Sequence, residues 1–142
     1  WGLAVTAVDA SPAAIERIRR AAAAERLPIE AAQAEIATWD LPGRFDTIVT
    51  IGLFMFFPRE RALALLANMQ EHVAPDGIAI VNVLIEGTTF MGMFEPGHYT
   101  LFGRDELRDR FAGWRVLHYV WDGFDAPENT RKEFATIVAQ RT

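Results

Sequence analysis

The stretch that most restricts the fold is LAVTAVDASP, residues 3–12. Seven residues, apolar on both faces and rich in β-branched side chains, end in an acid, Asp9. A helix start follows with no intervening loop: Ser11 supplies an N-cap oxygen, and Pro12 suits the first helical position, where no amide hydrogen is needed. A strand apolar on both faces must be covered by helices on both sides, which is the condition of a parallel sheet. The alternation then recurs. Ile15, Ile18 and Ala22 share one helical face, and Pro28 ends that helix. IEAAQAEI (29–36) reads as a weaker strand, DLPG (40–43) as a turn, and FDTIVTIGLFMFF (45–57) as the most apolar strand. Pro58 opens a helix with Leu63, Leu66, Met69 and Val73 inward, PDG (75–77) reads as a turn, and IAIVNVLIE (78–86) as a further strand. A long irregular stretch precedes a short helix at 104–111, a strand at 114–122, a polar connection at 123–132 and a last strand at 133–141. The order β-α-β, β-α-β, α-β-β predicts one domain over 1–142 with a doubly wound α/β sheet and an antiparallel final pair.

Composition narrows the chemistry. With 51% apolar residues in 142, the chain can bury one core. A net charge of -5 argues against nucleic-acid or anionic-membrane partners. There is no cysteine, hence no thiolate site. The longest apolar run falls short of the about 20 residues a membrane span needs. The start shows neither a basic region nor a cleavage pattern, so a soluble, cytoplasmic protein is expected. His72, His98 and His118 have no metal-ligand partners at suitable spacing, and no metal is expected. No nucleophile elbow, paired-carboxylate motif or phosphate loop is present. The chemistry must depend on positioning a cofactor.

In doubly wound sheets, ligands sit beyond the carboxyl ends of the strands. Asp9, ending a strand there, can accept two hydrogen bonds from ribose hydroxyls. It can equally serve the helix after it as a dipole or capping acid. Nicotinamide enzymes use the same acid, so Asp9 points to a nucleoside and not to a reaction. Glu35 followed by Ile36 can receive an adenine amino group and cover the ring; a plain surface carboxylate is the alternative. LFMFF (53–57) and TTFMGMF (88–94) leave neighbouring strands at the same edge. Core packing accounts for several of these residues, while Met55, Met91 and Met93 offer a soft wall for a small, polarizable acceptor.

Taken in order, Asp9, the AEI at 34–36, FDTIVTIG at 45–52, PDG before IAIVNVL, and the terminal strand pair resemble a class I S-adenosylmethionine-dependent methyltransferase. LFMFFPRE, LLANMQEHVAPDG, DELRDRFAGWRVLHY and EFATIVAQR are similar to the tellurite-resistance (TehB-type) methyltransferases. The resemblance implies a Rossmann-like, mostly parallel sheet with an antiparallel C-terminal strand, and S-adenosyl-L-methionine as cofactor. By position it implies Asp9 at the ribose, Glu35 and Ile36 at the adenine, and Thr50 near the methionine part. Met55 and Arg131 fall to a small-molecule methyl acceptor, either a tellurite- or selenite-type oxyanion or a soft nucleophile. Arg131 is the one counterpart here of the basic residues such proteins carry near the last hairpin. Such proteins also place a strand and glycine-rich turn before the strand of Asp9. Their absence here implies an N-terminally truncated sheet of order 3-2-1-4-5-7-6 without its first strand, whose two unpaired edges either close on each other or take a strand from another copy, giving a homo-oligomer. A nicotinamide-binding domain and a non-catalytic, methyltransferase-like interaction domain are the rival readings.

Overall fold

Val5–Asp9 form β1, and the helix signals after it act as written. In the computed structural model, which describes residues 2–142, α1 spans Pro12–Glu25 with Ser11 Oγ accepting from the Ala14 amide at 3.3 Å. Arg26, left-handed at φ 53°, caps its C-terminus. β2 (Ile29–Gln33) pairs parallel with β1, from Val5↔Ile29 to Asp9↔Gln33. Ile15 and Ala22 are the buried side chains of α1, and Arg19 reaches over β2 to the Ala31 carbonyl at 2.7 Å. These elements form one compact unit, ending at Asp40; a second runs from Leu41 to Thr142. The second strand is shorter than its sequence suggests. After the Ala34 amide donates to the Asp9 carbonyl, the chain turns, with Glu35 accepting from Ala37 and Thr38.

The second unit contains β3 (Phe45–Ile51), a 3-10 turn (Phe54–Phe56), α2 (Arg59–His72), β4 (Val73–Leu84), α3 (Glu106–Asp109), β5 (Arg115–Ala126) and β6 (Thr130–Gln140). Its sheet has the order β3-β4-β6-β5, so the last strand inserts between β4 and β5 as the family pattern requires. β3 and β4 are parallel; β4 with β6 and β6 with β5 are antiparallel. Parallel pairs and an antiparallel C-terminal strand give the α/β fold expected, with the strands in two sheets, β1-β2 and β3-β4-β6-β5. Among the described residues, β1 and β3 each pair along one edge only.

Three stretches correct the reading above. FDTIVTIGLFMFF is not one strand: Gly52 takes φ +62°, ends β3, and the chain coils into the 3-10 turn. PDG is not a turn between helix and strand but lies inside β4, because the Asp76 amide donates to the Arg141 carbonyl and Arg141 returns a bond to Gly77. GFDA and TRK do more than connect the last two strands. They extend β5 and β6 into a long hairpin whose turn places Glu128 and Asn129 in the left-handed region.

One face of this sheet carries the core. Ala79, Val81 and Ile137 lie against Leu66 of α2 and against Leu107 and Phe111 around α3. On the opposite face Val49 and Ile51 are exposed. α3 is too short to hold itself together, and its Glu106 supplies a second anchor. That carboxylate accepts from the Gly103 amide at 3.0 Å, from Arg59 at 2.6 Å and from Arg110 at 2.9 Å. Burial alone would raise its pKa, but the Gly103, Arg59 and Arg110 bonds together outweigh burial and hold it below the ordinary glutamate value. A carboxylate with a depressed folded-state pKa stabilises the fold above its unfolded value, about 4.3, and that contribution is lost as pH falls through the folded value. Glu106→Gln should therefore lose stability at pH 7 yet show a shallower decline below about pH 4.3 than the parent. Denaturant midpoints from pH 7 to pH 3 measure this; parallel acid limbs would rule it out.

Candidate functional site

In the first unit, the parallel register puts Asp9 and the Glu35–Ile36 corner at the same carboxyl end of β1 and β2. Asp9 Oδ1 accepts from the Ser11 amide at 2.7 Å, closing a local turn at the helix entrance. One carboxylate oxygen of Asp9 thus orders the turn, and the other has no partner among the described residues. Glu35 Oε1 accepts from the Ala37 amide at 3.3 Å, and its side chain stays exposed. Ile36 is half-buried beside it. Asp9 and Glu35 are both exposed at this end, and each has one carboxylate oxygen without a partner among the described residues.

Thr50, Met55 and Arg131 lie in the second unit. The half-buried Thr50 points to the α2 side of the sheet, its hydroxyl 3.9 Å from the Met69 sulfur. Met55 is buried, with its terminal methyl tucked beneath Gly52, where an added Cβ would sit 3.1 Å from it. It supports the turn from below. The outward residue of that turn is its neighbour Phe56, which sequence periodicity did not separate from the core because a 3-10 turn has neither the helical nor the strand repeat.

The irregular stretch between β4 and α3 is a closed loop. Ile85 and Phe102 bridge its base, and the Glu86 amide donates to Phe102. One limb is stitched to β6: Thr89 and Phe90 donate their amides to the Arg131 carbonyl, and the buried Thr88 exchanges two hydrogen bonds with the Glu133 backbone. The other limb is stitched to the 3-10 turn: Thr100 donates its amide to Met55 and its hydroxyl to the Phe57 carbonyl, at 3.1 and 2.8 Å. The loop so held carries Phe94 and Tyr99, which continue from Phe56 of the 3-10 turn as an aromatic series with centroids 5.6 and 5.4 Å apart.

Arg131 stands beside this loop, but not as a free cation. Its guanidinium bonds Glu133 and, at 3.2 Å, Asp125. The Glu133 hydrogen bond, then the charges of Glu133 and Asp125, raise its pKa further. These two acids were not singled out by sequence reading, which took 123–132 as a polar connection and left its strand register open. Strand pairing puts Asp125 opposite Arg131 and Gly123 opposite Glu133.

Solved structures share this architecture. TehB from Haemophilus influenzae superposes with a TM-score of 0.85 at 24% identity, over 99% of this chain and 51% of that one. Coclaurine N-methyltransferase bound to N-methylheliamine and SAH superposes with a TM-score of 0.76 at 14% identity, over 97% and 60%. The fold is the Rossmann-like α/β fold of class I methyltransferases. Residues 1–129 match the family described as tellurite resistance protein TehB, and the chain belongs to that family. Among curated relatives, Hemagglutinin 1 of Eikenella corrodens is 35% identical over 83% of this chain and 39% of its own length. The "Probable S-adenosyl-L-methionine-dependent methyltransferase TehB" of Haemophilus influenzae strain 10810 is 28% identical over 99% of this chain and 50% of its own. The chain thus spans half or less of the length of these curated relatives. Among the described residues no helix is long and apolar enough to cross a membrane, and no group of acids and histidines is placed to hold a metal ion.

Proposed function

We propose that this chain belongs to an S-adenosylmethionine-dependent methyltransferase acting on a small molecule. The observation that carries the reading is the corner at the carboxyl ends of β1 and β2, where exposed Asp9 and Glu35 each keep a carboxylate oxygen without a partner among the described residues, next to half-buried Ile36. Asp9 would hold the ribose hydroxyls; Glu35 would take the adenine amine, with Ile36 against the ring. Family membership supports the assignment. When bound, the donor supplies an electrophilic methyl group. The residues of this chain need only align acceptor and donor and keep water away, so proximity accounts for most of the rate. Thr50 and Met55 belong to this scheme as supports of the strand end and of the 3-10 turn. Arg131 fixes the rim of the acceptor side. Of the acceptors the family pattern leaves open, a soft nucleophile and a tellurite- or selenite-type oxyanion, the apolar loop favours the former.

Calorimetry with S-adenosylmethionine, its demethylated product and NADH tests the reading. The methyl donor and its product are expected to bind at one site with similar affinity. Binding of NADH in preference to both would replace this function with a nicotinamide-dependent one.

A further inference from the structure

We infer that the free edge of β5 is a surface for a second copy of this chain: two copies join β5 to β5 antiparallel, about a two-fold axis at Val120. β5 closes the sheet of the second unit on one side, and among the described residues its ladder runs to β6 alone. The strand is 12 residues long, Arg115–Ala126, and leaves a row of backbone donors and acceptors along that edge. Four large apolar side chains stand exposed on it: Val116, Leu117, Trp121 and Phe124. Long edges are commonly blunted by proline or by a central bulge. β5 contains no proline, and its register shift falls between Val116 and His118, near one end, so that 118–126 remain regular.

The strand is complementary to its own reverse. Residues directly opposite in an antiparallel pair share a face. With Val120 opposite Val120, Tyr119 meets Trp121 and His118 meets Asp122, each twice. Arg115 at the start of one copy runs beside the acidic end of the other, Asp122 and Asp125. Neighbouring registers lose this match. An axis at Tyr119 sets His118 against Val120, one at Trp121 sets Val120 against Asp122, and one at Asp122 opposes two acids. The rings at the edge are already fixed. Tyr119 and Trp121 lie edge to face at 6.0 Å, and both donate to the Arg104 carbonyl, at 2.7 and 3.0 Å. Arg104 and Arg108 stack over them, at 4.8 and 5.5 Å. Ordering these side chains on association therefore costs little. The contact is isologous, so it closes at two copies and joins their four-stranded sheets edge to edge.

Sedimentation velocity of the chain between about 1 and about 100 μM tests this, with circular dichroism to verify that each variant is folded. The parent is expected to dimerise within that range. Asp122 is exposed, so Asp122→Lys should leave the fold intact while weakening the dimer about tenfold or more. Adding His118→Asp to the same chain should restore the dimer, because the exchanged pair meets again across the axis. Val120→Lys and Val120→Asp should each be monomeric alone and form a mixed dimer when combined. A parent still monomeric at about 100 μM would overturn the inference, as would a dimer indifferent to Asp122→Lys or a swapped chain that stays monomeric. A dimer split by Val49→Lys on β3 but kept in Asp122→Lys would move the contact to the opposite edge of the sheet and overturn it equally.

Discussion

Asp9→Ala should nearly abolish S-adenosylmethionine binding, at a cost of about 1.5–3 kcal/mol for each charge-assisted hydrogen bond lost to the ribose. The structure adds a complication, because Asp9 Oδ1 also receives the Ser11 amide at the helix entrance. Alanine removes both functions, so a drop in affinity after Asp9→Ala could reflect a loosened turn. Asp9→Asn separates them. The asparagine oxygen can still accept from Ser11, which keeps the entrance to α1, while the outward carboxylate oxygen is replaced by an amide donor that cannot receive a hydroxyl. The expected result is near-parental stability with donor affinity almost as poor as in Asp9→Ala. If Asp9→Asn instead binds like the parent, the outward oxygen has no ligand and Asp9 serves the helix alone.

Much of the fold was readable because local signals agreed with one another. Ser11 and Pro12 start α1 where they stand in the sequence, and the apolar runs at 3–9, 45–51 and 78–84 all became strands. The failures share a cause, which is that pairing is not local. Nothing in PDG announces that Arg141, more than sixty residues on, will hydrogen-bond its backbone and draw it into β4. The polar hairpin GFDAPENTRK has the composition of a loop, yet each of its strands finds the other as partner, and Asp125 and Glu133 then close on Arg131. The candidate residues divided along the same line. Asp9 does end β1 as its sequence position suggests, whereas Glu35 lies in the turn beyond β2, two residues past the strand end expected for it. The environment of Arg131 could not be read, since both its partners come from a register invisible before the hairpin is folded. That Met55 is buried and Phe56 exposed could not be read either, for want of any repeat in a three-residue 3-10 turn.

Phe111→Ala should be the most destabilising single truncation near the site, by about 3–5 kcal/mol. A four-residue helix such as α3 cannot persist by its own hydrogen bonds, because nucleation costs more than one turn returns. It is kept in place by what it buries. Leu107 and Phe111 are both buried in the core of the second unit, and the Phe111 ring meets Trp114 edge-on at a centroid distance of 5.1 Å. Removing the ring leaves a cavity lined by rigid sheet residues, Ala135, Ile137 and Ala139 among its core neighbours, which cannot move in to fill it without breaking ladder bonds on both sides. The loss would spread along the chain. Gly103, Glu106 and Arg110 share one hydrogen-bonded group with Arg59, and the Arg104 carbonyl accepts from both Tyr119 and Trp121, so a loosened α3 also loosens the base of the aromatic loop at Phe102. Phe111→Leu, which keeps most of the volume, should recover the larger part of the loss. Denaturant titration gives the reading: the midpoint should fall while the slope stays constant, as for one cooperative unit. A change below about 1 kcal/mol would mean that residues 103–114 are not part of the cooperative core. The loop would then have to be held by its stitches to β6 and to the 3-10 turn alone.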